Sequence, residues 1–396
     1  MKVLLIGQLP KEIGGNYTTG AANVVFELGK QNVAEVEYFT YGTNIAYASA
    51  KKSSNYVNQY IGYKLKPFKI LVHLLLHPIK FLKNWTHYCF VDHKNPIRLA
   101  FYEDNIREAI NVIKPDLIHV NSINNVSPTK FALDDKNIPI LLTCHGIFYR
   151  GDIRDKNNRD CYLGNIKLVD AYSGLTHEAQ EEYEKILGIS RDRVTIIPNG
   201  VDCSKFYFSA VDRKKKREEL GITDTCKVFI TVASVQERKG QLNFVKFLER
   251  LNLDFQYWII GKGPHEKEIK EYIQKHDMYD RIRLLGYKDP STLYQYYSAA
   301  DVYAHPSIKE GQALCELEAK ATGLPTMVNK DIIGTIANDI TKDDYYVMDF
   351  DNLDYIHIEN WLTKNRERQS QNNLDWKYIA QKYADLYKQI IRLNNN

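Results

Sequence analysis

The chain has 396 residues, too many for one ordinary hydrophobic core and about right for two domains. Its 44% hydrophobic and 26% charged residues are an ordinary globular mix that can stabilise a large α/β core. The formal net charge of +4 argues against a protein built to wrap nucleic acid, and six scattered cysteines without a C-x-x-C pair read as reduced thiols in a cytosolic protein.

The opening MKVLLIGQLP is too short for a signal peptide and runs directly into a glycine turn, so Lys2 to Gly7 reads as a first buried strand. Gly14-Gly15 follows, then a helix-compatible run from Gly20 to Leu28. Strand, glycine turn and helix make a βα unit whose turn lies at the carboxyl end of a parallel sheet, where ligands bind. For Gly15 a plain tight turn and a ligand-approaching one both stay open.

Residues 44 to 95 break this rhythm. Tyr63 to Trp85 mixes lysines with many large apolar residues, but only ten residues separate Lys69 from Lys80, and His73, His77 and Pro78 interrupt them. That excludes a transmembrane span. Two readings remain: a basic amphipathic segment in the plane of an anionic membrane, with Lys64, Lys66, Lys69, Lys80 and Lys83 at the headgroups, or a helix packed on the first domain with its lysines solvated.

Ile113 to Ser122 contains a buried strand, and Ile138 to Cys144 another that ends at His145-Gly146. A histidine at a strand's carboxyl end can face a ligand crevice, so for His145 a ligand-facing and a structural role both stay open, whereas His119, within a strand, reads as structural. After an acidic helix, Glu178 to Leu187, the strand beginning at Arg193 closes on the turn Pro198-Asn199-Gly200. The basic run Arg213 to Arg217 reads as a solvated face.

A second βα series follows, with strands at Val228 to Val235, Phe255 to Ile260 and Arg281 to Tyr287, and a helix from Asp289 to Ala300. Its focus is Ala304 to Asn329, AHPSIKEGQALCELEAKATGLPTMVN. Glu310 falls in a loop, and Glu318 on a helix from Ala313 to Thr322 that stops at Gly323-Leu324-Pro325. Eight helical residues would set two carboxylates about 12 Å apart, beyond the roughly 5 to 9.5 Å at which a pair shares one glycosidic bond. The two glutamates therefore touch different parts of one long ligand. The N–H groups of Gly311, Gln312, Ala313 and Leu314 form a phosphate seat at the helix start, and Lys239, with Arg238 beside it, supplies positive charge. Trp376 to Leu393 is amphipathic, with Ile379, Tyr383, Leu386 and Ile390 on one stripe.

Glu310 and Glu318 resemble the E-x7-E motif of the retaining family 4 glycosyltransferases. T-C-H-G at His145, I-P-N-G-V-D at the hinge, G-K-G-P after Phe255 and D-W-K-Y-I-A-Q-K-Y near the end are similar to that family too. The resemblance covers nearly the whole chain except residues 44 to 110. It implies the GT-B architecture: two Rossmann-like domains facing each other across a cleft, 1–198 binding acceptor and 199–372 binding the nucleotide sugar. The final helix, 375–393, crosses back onto the first domain. It also implies that Glu310 holds the donor sugar's hydroxyls, Glu318 the ribose, His145 the sugar from the opposite domain, and Lys239 the diphosphate. Gly15 approaches donor phosphate or acceptor, and Leu285 and Tyr287 border the base. The co-substrate is a nucleotide sugar, with UDP favoured and no metal required. One departure stands out: the family's arginine in G-R-L-x-x-x-K-G is Ser234 here, and Arg238 is the candidate replacement. The implied function is retaining transfer to a saccharide or lipid-linked saccharide in bacterial surface polysaccharide assembly. It would take place in the cytoplasm, with membrane contact through 63–85. A non-catalytic GT-B subunit that binds a nucleotide sugar or a partner enzyme is the alternative, kept open by Ser234.

Overall fold

Runs of β-branched and aromatic residues between glycine turns make buried strands in both halves of the chain. The computed structural model describes residues 1–10, 20–46, 60–63, 67–145, 155–335, 345–364, 368 and 370–395. It divides into two compact units, Met1–Asn199 with Trp376–Asn396, and Gly200–Asp375. The expected contributions of Gly15, Lys64 and Lys66 lie outside the described residues.

The first unit's strands are β1 (Lys2–Gly7), β2 (Glu37–Ala46), β3 (Tyr60–Tyr63), β4 (Leu117–Val120), β5 (Ile140–Thr143), β6 (Ala171–Gly174) and β7 (Val194–Ile196). They form one parallel sheet in the order β3-β2-β1-β4-β5-β6-β7. The second unit contributes β8 (Lys227–Val232), β9 (Phe255–Ile260), β10 (Ile282–Gly286), β11 (Val302–His305), β12 (Thr326–Asn329) and β13 (Tyr345–Met348). These pair in parallel as β10-β9-β8-β11-β12-β13. Both units are thus Rossmann-like. In each, the strand order reverses once, between β1 and β4 and between β8 and β11, and it is beyond the carboxyl ends at such a reversal that open α/β sheets bind ligands.

The helix Trp376–Asn395 belongs to the first unit, with Ile379, Tyr383, Leu386, Tyr387 and Ile390 buried along its stripe. Tyr387 Oη lies 2.8 Å from Nδ1 of His119, and Thr143 Oγ1 lies 2.7 Å from its Nε2. His119 is therefore a satisfied core residue, and its burial drives the imidazole pKa down to about 3.

Two expectations need correction. The stretch Asp289 to Ala300 opens as a 3-10 turn, Pro290–Thr292, capped by Asp289, before the helix Leu293–Ala299. The basic run is not simply a solvated face, because Arg217 is buried and Arg213 mostly so. Both guanidinium groups reach Asp301 at the start of β11, at 2.6 Å from Arg213 and 3.2 Å from Arg217. They also donate to the carbonyls that end the preceding helix, Arg213 to Ala300 and Arg217 to Ala299. Helical spacing of four put two arginines on the inner face, where a buried carboxylate and orphan carbonyls required donors.

Burial opposes the charge on Asp301, but Arg213, the Val228 N–H and Arg217 outweigh it and hold the carboxyl below its ordinary range. Its contribution to stability is therefore full above the unfolded pKa, about 4, and is lost as pH falls through the folded value. Arg217→Ala should destabilise the second unit by about 2 kcal/mol, since it takes one of two guanidinium partners from Asp301 and leaves the buried Cys226 carbonyl without its donor. Urea denaturation at pH 7 measures this, and a loss below about 1 kcal/mol would contradict it.

Candidate functional site

In the second unit, the loop after β8 and the loop after β11 meet at the reversal point. Gly240 makes the meeting possible: its φ is +67°, and a Cβ there would lie 2.0 Å from the Pro306 carbonyl oxygen. The Ile308 N–H donates to the Arg238 carbonyl at 2.9 Å, which ties the two loops together. As a result Lys239 Nζ donates directly to Glu310 Oε1. Arg238 Nη1 stands 3.6 Å from the same oxygen, and Ser307 Oγ donates to it at 3.0 Å. Burial works against the Glu310 charge, but Lys239 above all, then His305 and Arg238, overcome it and keep the carboxyl below its usual pKa.

Glu318 meets a different environment. It lies on the second turn of the helix Leu314–Ala321, where Tyr297 Oη donates to its Oε2 at 2.9 Å and to the Cys315 carbonyl at 3.2 Å. Among the described residues no cation balances it, and burial pushes its pKa up to about 7. The helix starts at Ala313, whose side chain cannot accept a hydrogen bond, so Gly311, Gln312 and Ala313 lead the chain to an N-terminus with no side-chain cap. The helix ends as the sequence predicts: Gly323 has φ +69°, and the Leu324 N–H returns to the Ala319 carbonyl. A second close approach seats the G-K-G-P turn after β9, where a Cβ on Gly263 would lie 2.0 Å from the Val235 carbonyl oxygen. Leu285 and exposed Tyr287 stand at the end of β10, two strands from β8.

The first unit has its own small cluster at the β1/β4 reversal. The Asn121 N–H donates to the Ile6 carbonyl at 2.9 Å, and Asn121 Oδ1 lies 2.9 Å from His145 Nε2. A carbonyl-type acceptor there puts the His145 proton on Nε2 and leaves Nδ1 as a lone pair, which has no partner among the described residues. Burial lowers the His145 pKa to about 4, so the ring is neutral at pH 7.

The structure thus groups Arg238, Lys239 and Glu310, sets Glu318 and the Gly311–Leu314 stretch beside them in sequence, and puts His145 at the corresponding place of the other sheet. Sequence reasoning missed Ser307, His305, Tyr297 and Asn121. A hydroxyl three residues before Glu310 was a usable signal for Ser307. Tyr297, 21 residues before Glu318 on another helix, had none.

Residues 20–205 match the Glycosyltransferase Family 4 family and residues 212–369 match Glycosyl transferases group 1. The Escherichia coli UDP-Gal:alpha-D-GlcNAc-diphosphoundecaprenol alpha-1,3-galactosyltransferase is 29% identical over 54% of this chain and 58% of its own. The alpha-monoglucosyldiacylglycerol synthase of Acholeplasma laidlawii is 24% identical over 59% and 63%. The chain therefore matches about three fifths of these relatives' length. A glycosyltransferase structure from Rickettsia africae aligns with TM-score 0.73 at 15% identity, covering 98% of both chains. Anabaena HepE, solved with UDP and glucose, aligns with TM-score 0.69 at 16% identity over 100% of this chain and 97% of its own. At that identity the likeness is one of fold.

The raised pKa of Glu318 has a definite sign. A carboxyl whose folded pKa exceeds its unfolded value stabilises the fold fully below the unfolded pKa, about 4.5, and that contribution is lost as pH rises through about 7. Between pH 5 and 8 the wild type should lose about 1 to 3 kcal/mol of second-unit stability that Glu318→Gln does not lose. Thermal melts of both proteins across that range read the difference; parallel curves would refute it.

Proposed function

This chain belongs to the family 4 glycosyltransferases, and we propose that it moves a sugar from a nucleotide-sugar donor to a saccharide acceptor with retention at the anomeric carbon. The observation that carries the reading is the convergence of Lys239, Arg238 and Ser307 on Glu310 at the second unit's reversal point. The barrier in such a transfer is charge separation between an oxocarbenium-like sugar and a departing diphosphate. Lys239, Arg238 and the N–H groups from Gly311 to Leu314, at a helix start without a side-chain cap, suit the diphosphate, because they are fixed donors that need little reorganisation.

In this reading the bond from the anomeric carbon to the diphosphate oxygen breaks with its electron pair going to the phosphate. The acceptor hydroxyl attacks from the same face, and its proton passes to that phosphate oxygen. Glu310, ionised, accepts hydrogen bonds from the donor sugar's hydroxyls, and Glu318 accepts them from the ribose. His145 offers the Nδ1 lone pair to a sugar hydroxyl. Leu285 and Tyr287 are assigned to the base, and no metal is required. UDP is favoured as the nucleotide, supported by the galactosyltransferase relative's name and by the UDP in the HepE structure. Two relatives named for lipid-linked products support an acceptor on a lipid carrier, used in bacterial surface polysaccharide assembly at the cytoplasmic membrane face.

Ser234, exposed where the family has an arginine, favours a second reading in which the chain binds the donor and serves a partner enzyme. A thermal-shift and turnover screen across UDP-, GDP-, ADP- and TDP-sugars separates the two. One nucleotide should raise the melting temperature, and slow sugar release should fall roughly a hundredfold or more in Glu310→Ala. Turnover should survive EDTA. Binding without turnover would favour the partner subunit, and no shift with any donor would sink the first reading.

A further inference from the structure

The segment that breaks the α/β rhythm folds as two helices, Pro67–Leu76 and Pro78–Phe90, and they are turned inside out. Several of their polar groups, His73, Lys80, Asn84 and Tyr88, face the protein. Asn84 Nδ2 donates to Glu103 Oε1 at 3.2 Å, Tyr88 Oη donates to Glu103 Oε2 at 2.7 Å, and His73 Nε2 stands 3.9 Å from the same carboxylate. Lys80 Nζ donates to Asp134 at 2.9 Å, and Arg107 joins Glu103 to Asp134 at 2.5 and 2.9 Å. Lys80 is thus held by the protein and does not stand free at a headgroup, as one reading of the sequence had it.

The apolar groups face outward. Phe68, Leu75, Leu76, Ile79, Leu82 and Phe90 are 57% to 83% exposed. Between the two helices and the helix Pro96–Ile113 runs an apolar groove of about 470 Å³, lined by Ile70, Leu74, Phe81, Trp85 and Phe101 among others. A water-facing helix pair would present the opposite pattern. An outer face of this size and composition calls for an apolar partner.

Charge identifies that partner. Residues 38 to 91 contain seven lysines and no aspartate or glutamate, and exposed Lys83 adjoins Leu82 on the outer face. A segment so basic in sequence suits an anionic bilayer, which offers acyl chains beneath negative headgroups. At 1.5 Å per residue the helices are only about 15 and 20 Å long, against a hydrocarbon core of about 30 Å. No helix among the described residues is long and apolar enough to cross a membrane. We propose that the pair Pro67–Phe90 is an interfacial anchor, lying in the plane of an anionic membrane with its outer apolar side chains among the acyl chains. The Glu103 and Asp134 network holds the anchor rigidly on the first unit. This inference is independent of the donor and the transfer reaction, and its test involves no turnover.

The protein carries its own probe. Of four tryptophans, Trp258, Trp361 and Trp376 are buried, and Trp85 is partly exposed at the groove. The full chain is mixed with vesicles of brominated phosphatidylglycerol and phosphatidylcholine, or of brominated phosphatidylcholine alone. Quenching is expected with the anionic vesicles and should vanish in Trp85→Phe. The exposed-site variant Leu75→Gln/Leu76→Gln/Ile79→Gln/Leu82→Gln should float with vesicles roughly a hundredfold more weakly, with unchanged circular dichroism and melting temperature. Undiminished flotation of that variant would overturn the proposal. So would equal binding to zwitterionic vesicles, or a dimer that the variant disrupts while vesicles stay unbound.

Discussion

The Lys239–Glu310 contact is the interaction around which the loops after β8 and β11 are arranged. A carboxylate largely removed from water would ordinarily be driven toward its neutral form, and here the ammonium keeps it charged. The contact exists only because two loops from adjacent strands touch at Gly240 and Pro306, so a backbone torsion governs an electrostatic state. Partners fixed in advance by the fold need not be gathered when a ligand arrives, and that is the form in which a buried ion pair is most useful to catalysis.

Elsewhere the same unit solves the buried-charge problem in other ways. Asp301 receives two guanidinium groups and a backbone N–H. Glu316 and Lys320 pair one turn apart at 2.5 Å, both almost fully enclosed. Burial lowers the pKa of His305 against the opposing pull of Glu316 and Glu310. Glu318, among the described residues, has the Tyr297 hydroxyl and the Cys315 thiol beside it and no cation. The two glutamates of one motif thus differ in ionisation because of their neighbours and not because of their spacing.

Much of this was legible in the sequence. Local signals made the parallel strands, the glycine stops and the Glu310 loop readable, because apolar runs, turn residues and caps act within a few positions. His119 could be judged structural from its place within a strand, although its partner Tyr387 lies 268 residues away. What stayed hidden depended on tertiary partners. Arg217 looked like one of several solvated basic residues until Asp301 was seen beneath it, and Tyr297 and Asn121 act on groups in other elements. The orientation of the two helices from Pro67 to Phe90 was equally unreadable, since periodicity reveals two unlike faces but not which one meets the protein.

The placement of the final helix orders events during synthesis. The second unit is one uninterrupted stretch, Gly200–Asp375, inserted between two parts of the first. It can emerge from a ribosome and close its sheet while the first unit still lacks Tyr383 and Tyr387. Until residues 376–395 are made, the side of β4 and β5 that they cover, including His119, has no permanent neighbour. The first unit's sheet is therefore completed only after the second unit has been made, and a growing chain must keep that sheet face from other contacts until residues 376–395 emerge.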